Sequence, residues 1–494
     1  MSSIDKALSL AQLVTLGVAL SILVTVGKIF YNVFLHPLRN FPGPITHRMS
    51  VIPRAVHQMK GNLPFRVAEL HRRYGPVVRV APNELAFCSP QAWRDIYGHK
   101  KEEFPKHGSF YGIFKHLPSS INNADAVEHS MLRRQIAVGF SDRAMHEQEP
   151  IIGSYVDLLI SRLREASRKD TRQNMREWYT WTTFDLIGDL SFGVDGGFGC
   201  LQNSSYHSWV RLIHDSIRQQ GIILGLIALG FKRPIAWLHK TASGLFTDIK
   251  HRLIVKEKVA QRLRGGHRPD FLEGLVSNRE ELGLNEGQIA ANASVLILAG
   301  SETTATLLCG VTYYLTTHPE ILDKLNTEVR SAFASDKEIT LTSVGNLSFM
   351  LACLNEALRC YPPLMNGSPR YAPKDAIIDG KFVPKNTVLT IYQYAVNHDK
   401  HYWRKPWMFA PERWMNDPAF KDDQHDAMQP FGTGPRNCVG RNLAYSEMRL
   451  ILAKLVYNFD ISMSKDSRNW LQGQKAYAVW HKPDLHVHLK SVTS

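Results

Sequence analysis

Between Lys6 and Lys28 lie 21 residues, Ala7 to Gly27, without a single charge. A helix of that length rises about 30 Å, the thickness of a bilayer's hydrocarbon core. It has no polar face to turn to water, so the chain starts either as a membrane-crossing helix or as a cleaved leader. A leader fits poorly. The residues before it hold only Asp5 and Lys6, the apolar run is long, and no clear small-x-small site follows. Lys28, Arg39, Arg48 and Arg54 follow the segment, against Lys6 alone before it. The positive-inside rule then leaves residues 1–6 in the lumen and the bulk of the chain in the cytoplasm. The N-x-S/T matches at Asn203, Asn292, Asn346 and Asn366 are on this reading chance matches that stay unmodified. Pro37, Pro42 and Pro44 break helices on either side, and His36 to Pro44 reads as a stiff elbow. The expected organisation is an anchor at 7–27, an elbow and linker at 28–60, and one large domain over 61–494.

The whole chain has 494 residues, 44% of them hydrophobic and 21% charged, a globular composition with material for a large core. Net charge is +14. With no long Lys/Arg run and no zinc-finger spacing, that charge suits a solvated basic surface, anionic lipid or an acidic protein partner, and no nucleic-acid partner is expected. The six cysteines are scattered without a CxxC pair, which argues against a disulfide scaffold. Helical periodicity dominates around 64–74, 127–139, 150–168, 176–192, 245–263, 285–317, 319–334 and 440–457. Short β-rich stretches occur at Val77–Val80, Leu85–Cys88 and Val388–Tyr392. The fold class expected is mainly α with a minor β-sheet region. The uncharged run Gly221 to Phe231 is too short to span a bilayer and reads equally as buried core or as an interfacial patch.

The chemistry concentrates in Phe431-Gly432-Thr433-Gly434-Pro435-Arg436-Asn437-Cys438-Val439-Gly440. Its glycines let backbone approach a flat cofactor closely. The helix expected to follow points its N-terminus at the sulfur, which lowers a thiol pKa. A thiolate on haem iron pushes electron density to the metal and favours O–O cleavage. The string matches F-x-x-G-x-R-x-C-x-G, the haem-binding loop of the cytochrome P-450 superfamily, and a chance match is on the order of one in ten thousand. Other segments carry the same resemblance. Glu356-Ala357-Leu358-Arg359, followed by Tyr361-Pro362-Pro363, is similar to the family's E-x-x-R. Phe409 to Trp414 is similar to its P-E-R-W stretch. Ala299-Gly300-Ser301-Glu302-Thr303-Thr304 lies inside the long apolar helix at 285–317, which can open with a capping box from Asn285 to Gln288. There a polar cluster is expensive without a purpose. It resembles the family's A/G-G-x-D/E-T-T/S. Thr183 to Gly193 looks like a stretch common in fungal members.

The resemblance, which runs from residue 36 to about 490, implies a cytochrome P-450 fold preceded by one transmembrane helix. It implies haem b (iron protoporphyrin IX) with Cys438 as iron ligand and Phe431, Gly432 and Gly440 in its loop. Glu302 and Thr303 would relay protons to dioxygen, with Gly300 letting the helix deform. Arg133, Arg436 and Arg370 would pair with haem propionates. His129 stands where the family has Trp, and its N–H could reach the same carboxylate. Glu356, Arg359 and Arg413 would form a structural charge network. The activity implied is a monooxygenase on a small lipophilic molecule, of a fungal, microsomal, natural-product-forming kind. Electrons would come from NADPH through a membrane-bound cytochrome P-450 reductase docking near Arg134, Arg404 and Lys405, in the endoplasmic reticulum membrane. Two alternatives stay open: a haem-thiolate isomerase or dehydratase that needs no reductase, and a non-catalytic haem sensor. Phe110, Phe114, Leu296, Leu364 and Met365 are candidate pocket liners.

Overall fold

The computed structural model describes residues 10–100, 102–108, 118–193, 197–238, 249–477 and 479–492. Phe110 and Phe114 lie outside them. Helix α1 (Leu10–Phe30) continues as one π-helical turn, Tyr31–Leu35. This helix therefore passes the expected end at Gly27. Lys28 does not stop a helix, whereas Pro37 forces His36 into extended backbone with ψ of 142°. The side chains of α1 are exposed from Ala11 to Lys28.

Residues 28–60 are not a free linker, which corrects the expected boundary. Leu38 is fully buried, and so is Ala55 on α2 (Ile52–Met59). The Arg79 N–H donates to the Pro42 carbonyl at 2.7 Å, and His47 Nδ1 lies 2.9 Å from the Val80 carbonyl. Arg54 pairs with Glu84 at 2.6 Å. An extended Pro-rich segment leaves its backbone groups free to bond a sheet edge, and here they do.

That sheet has four strands: β1 (Val77–Ala81), β2 (Glu84–Phe87), β4 (Arg370–Tyr371) and β5 (Val388–Ile391), in the order β1-β2-β5-β4. The β2–β5 pair is parallel, with Leu85 opposite Leu389, and the others are antiparallel. A second sheet joins β3 (Arg172–Asn174), β7 (His486–Ser491) and β6 (Phe459–Met463) in the order β3-β7-β6. After α3 (Leu63–Tyr74) and α4 (Pro90–Tyr97), the longer helices are α5 (Ala126–Val138), α6 (Asp142–Lys169), α7 (Met175–Phe192), α8 (Ser208–Ala228), α9 (Ile249–Arg264), α10 (Glu286–Thr317), α11 (Pro319–Ala332), α12 (Ser348–Cys360) and α13 (Arg441–Asn458).

Helix α10 runs through the main core. Its capping box is formed: Gln288 N–H donates to Asn285 Oδ1 at 3.0 Å, and Asn285 N–H to Gln288 Oε1 at 3.1 Å. Pro319 begins the next helix beyond it. Helix α7 packs along it, buried all round from Trp178 to Phe192, as an apolar helix without a polar face must be. Helix α6 differs from expectation. Its pattern reads as starting at Pro150, a favoured first-turn residue, but Ser141 caps it a full two turns earlier and Pro150 sits inside. The apolar run 221–231 is the C-terminal half of α8 and the turn beyond it. Gly221 and Gly225 are buried against Tyr477 and Met59, while Phe231 is 51% exposed, so the run is part core and part surface.

Candidate functional site

The loop ahead of α13 closes on itself, the Cys438 N–H donating to the Phe431 carbonyl at 2.7 Å. Gly434 holds φ at +76°, and a Cβ there would lie 1.8 Å from the Tyr97 carbonyl oxygen. Only glycine lets the loop press onto the end of α4 this way. Cys438 is exposed to a cavity of about 360 Å³ that Phe431, Gly432, Arg436, Gly440 and Leu443 also line. Burial pushes its thiol above the ordinary value, while the Gly440 N–H and the Arg133 guanidinium pull it down without offsetting that. Coordination to a metal cation is what deprotonates such a thiol.

Leu296, Ala299, Gly300, Thr303, Thr304 and Leu307 bring α10 to the same cavity. A Cβ on Gly300 would come within 2.9 Å of Ile187 Cδ1, so this glycine allows α7 to pack close. The helical assignment is continuous through it. Thr303 bonds back to the Ala299 carbonyl at 2.6 Å and faces the cavity. Glu302 does not line the cavity. It is buried, ion-paired with Lys482, and 3.4 Å from Thr306 Oγ1. The acid and the alcohol are neighbours in sequence but lie on different faces of the helix.

Cations gather at another wall. Arg436 and Arg370 both line the cavity. Arg436 donates to Glu103 Oε2 at 2.8 Å and to the Ala124 carbonyl at 3.2 Å. Arg370 lies over the Tyr97 ring, 5.7 Å from its centre. Lys106, which sequence reasoning missed, donates to the Asn122 carbonyl. Burial first, then Arg436 and Arg370, lower its pKa to about 6. His129 is buried on α5; burial, then Arg436 and Lys106, lower it to about 4, so the ring is neutral and offers one N–H. Neither His129 nor Arg133 lines the cavity. Arg133 instead grips Asn437, Nη1 to its carbonyl and Nη2 to its side chain, each at 2.5 Å. It buttresses the cysteine loop from outside.

Behind the loop, Glu356 receives Arg359 Nη2 at 2.8 Å and Arg413 Nε at 3.0 Å, with all three side chains fully buried. Of the proposed liners, Leu296 and Leu364 reach the cavity, whereas Met365 is 1% exposed in the core and does not. Trp93 was also missed. It lines the cavity from α4, and its buried Nε1 has no hydrogen-bond partner among the described residues.

The sequence profile of the cytochrome P-450 family matches residues 42–488. The chain belongs to the cytochrome P-450 family. Similar curated proteins include the cytochrome P-450 monooxygenase tpeC of Talaromyces stipitatus, 47% identical over 98% of this chain and 96% of the relative. The trichothecene C-15 hydroxylase of Fusarium sporotrichioides is 42% identical over 96% of each chain. The averantin hydroxylase of Dothistroma septosporum is 39% identical over 96% of this chain and 90% of the relative. This P-450 is therefore a monooxygenase, which implies a haem-iron cofactor, dioxygen, a redox partner and a lipophilic substrate. Its donor set fits such a group. Arg370 and Arg436 line one wall, Arg436 paired there with Glu103, and Lys106 stands near both arginines. Cations held so close suit a ligand edged with carboxylates.

Proposed function

We propose that this P-450 inserts one oxygen atom from O2 into a small lipophilic intermediate of fungal secondary metabolism, using haem b ligated by Cys438. Haem supplies dioxygen activation when bound. The observation that carries the reading is one cavity that holds Cys438, the α10 face of Gly300 and Thr303, and the Arg370–Arg436 wall. Each protein group has a task there. The Gly432–Gly434 turn brings backbone close to the flat group. Arg370 and Arg436 would pair with its carboxylates, and Arg133 fixes the loop through Asn437. Thr303 holds a hydroxyl on the cavity side, with Glu302 the acid that replenishes its proton. Leu296, Leu307, Phe104 and Ile187 make the walls apolar, which favours a lipophilic substrate and keeps bulk water out.

Electrons come from NADPH through a cytochrome P-450 reductase. The exposed Arg134, Arg404 and Lys405 are the cations offered to its acidic surface. Helix α1, long and apolar enough to cross a bilayer, is read as a single-pass anchor in the endoplasmic reticulum membrane, with 61–494 as the catalytic domain on the cytoplasmic side. Retention of both the hydroxyl of Thr303 and the acid Glu302 favours oxygen insertion over a reductase-free rearrangement. The test is the absorption spectrum of the reduced, carbon-monoxide-bound protein. A strongly red-shifted band present in wild type and lost in Cys438→Ala is the expected result. A folded wild type without any haem band overturns the reading.

A further inference from the structure

The acid of the α10 motif is held by a lysine from the far end of the chain. Lys482 follows the short strand Trp480–His481 and is buried, as is Glu302. Its ammonium bonds Glu302 Oε1 and donates to Thr306 Oγ1 at 2.7 Å. Glu302 and Thr306 are one helical turn apart, on a face other than the one that Gly300, Thr303 and Leu307 turn to the cavity. Outside this pair the chain of charges continues to the surface. Arg176 on α7 reaches the Lys482 carbonyl at 3.5 Å and pairs with Asp484 at 2.6 Å, and Asp484 is 49% exposed. The other titratable groups around the pair, Cys309 and Tyr361, are pushed up by burial, Cys309 to about 12, and stay neutral.

Resting on the monooxygenase reading above, we propose that Lys482 is a positioning residue for proton delivery. It holds Glu302 as a carboxylate away from the cavity, and opening of their ion pair is what lets a proton pass to the Thr303 side. A buried carboxylate beside an ammonium is stabilised only while that partner stays. When the pair opens toward Asp484, Glu302 takes a proton from water. The neutral acid is no longer drawn to Lys482, turns to the cavity, releases the proton there and returns as a carboxylate. No electron moves, and each cycle transfers one proton from solvent to the cavity.

Infrared difference spectra of the resting holoenzyme test this without turnover. Subtracting Glu302→Gln from wild type isolates a carboxylate band; the same subtraction in a Lys482→Met background isolates a protonated carboxyl band, and in Lys482→Arg a carboxylate again. A carboxylate band in the Lys482→Met background overturns the proposal. If Lys482→Met alone does not fold while the Lys482→Met/Glu302→Gln double variant does, Glu302 stays a carboxylate without its partner and the proposal falls. If neither folds, Lys482 serves packing and the proposal falls. With reductase and NADPH but no added substrate, the share of electrons recovered as hydrogen peroxide at least doubles in Lys482→Met and returns in Lys482→Arg. An unchanged share overturns the relay. Loss of the carbon-monoxide band in wild type would instead refute the haem-thiolate reading and leave the infrared result standing.

Discussion

Glu356→Gln removes one charge and almost no volume from the fully buried cluster behind the cysteine loop. The carboxylate takes five N–H donors. Oε1 accepts from Arg359 Nη2, Arg413 Nε and the Ala410 N–H, and Oε2 from Arg359 Nε and Trp414 Nε1, all between 2.8 and 3.0 Å. A glutamine must place its NH2 at one of these oxygens, where it meets at least two donors. Losing two charge-assisted bonds at about 1.5–3 kcal/mol each gives roughly 3–6 kcal/mol. The cost of stripping one partner from a buried ion pair, about 3–5 kcal/mol, agrees. That is a large part of the stability a folded protein has, about 5–15 kcal/mol. The assay is urea unfolding followed by tryptophan fluorescence, since Arg359 and Arg413 lie over the Trp403 ring. Haem absorbance is recorded in parallel, and both transitions move to lower urea together. The acid side gives a second reading. Burial raises the Glu356 pKa, but Arg359 and Arg413 outweigh it and hold the carboxyl below its ordinary value. A depressed carboxyl gives stability that is present above the unfolded value of about 4.3 and is lost as pH falls through the folded one. Wild type loses this contribution in acid, and Glu356→Gln does not. A variant within about 1 kcal/mol of wild type at pH 7 would refute the reasoning, because buried donors left unpaired cost at least that much.

Other outcomes follow from the same geometry. Gly434→Ala, with its Cβ driven into the Tyr97 carbonyl, abolishes haem retention, read as the haem-to-protein absorbance ratio after gel filtration. Glu447 on α13 is fully buried, and burial raises its pKa to about 8. Its neutral form stabilises the fold below an unfolded value of about 4.3, and that contribution fades as pH rises through about 8. Glu447→Gln therefore raises the thermal midpoint at pH 8 and leaves it nearly unchanged at pH 5. Lys106→Met lowers haem affinity several-fold in a titration of haem-depleted protein, whereas Lys374→Met, at an exposed surface pair with Glu102, does not. Asn292 is fully buried and bonds the Ile121 N–H at 2.8 Å, so expression in a glycosylating host adds no glycan there, checked by mass before and after deglycosylation.

What could be read from the sequence was what is contiguous. The cysteine loop, the Glu356–Arg359 turn and the capped α10 each depend on residues within ten positions of one another, so spacing alone reported them. What converges through space was silent. Trp93 and Glu103 reach the cavity, and Lys106 comes near Arg436, only because α4 and the segment after it fold against the 431–440 loop. Lys482 meets Glu302 across 180 residues. His129 and Arg133 were placed by motif position, but burial neutralises the first and Asn437 engages the second. Pro150 misled the start of α6 because a proline fits a first turn better than an interior one, yet the Ser141 cap prevailed. Residues 28–60 read as a linker because prolines signal breaks, not the sheet edge that uses the freed backbone.

That last segment sets how the enzyme would stand on a membrane, on the single-pass reading proposed above. With Leu38 buried, Pro42 bonded to Arg79 and Arg54 locked to Glu84, the stalk below α1 is a bracket and not a tether. A helix embedded in lipid cannot tilt without levering the first sheet, and with it the α4 wall that carries Trp93. On that reading the depth at which the cavity sits above the bilayer is fixed by these non-covalent contacts, so bilayer thickness becomes a variable of substrate entry.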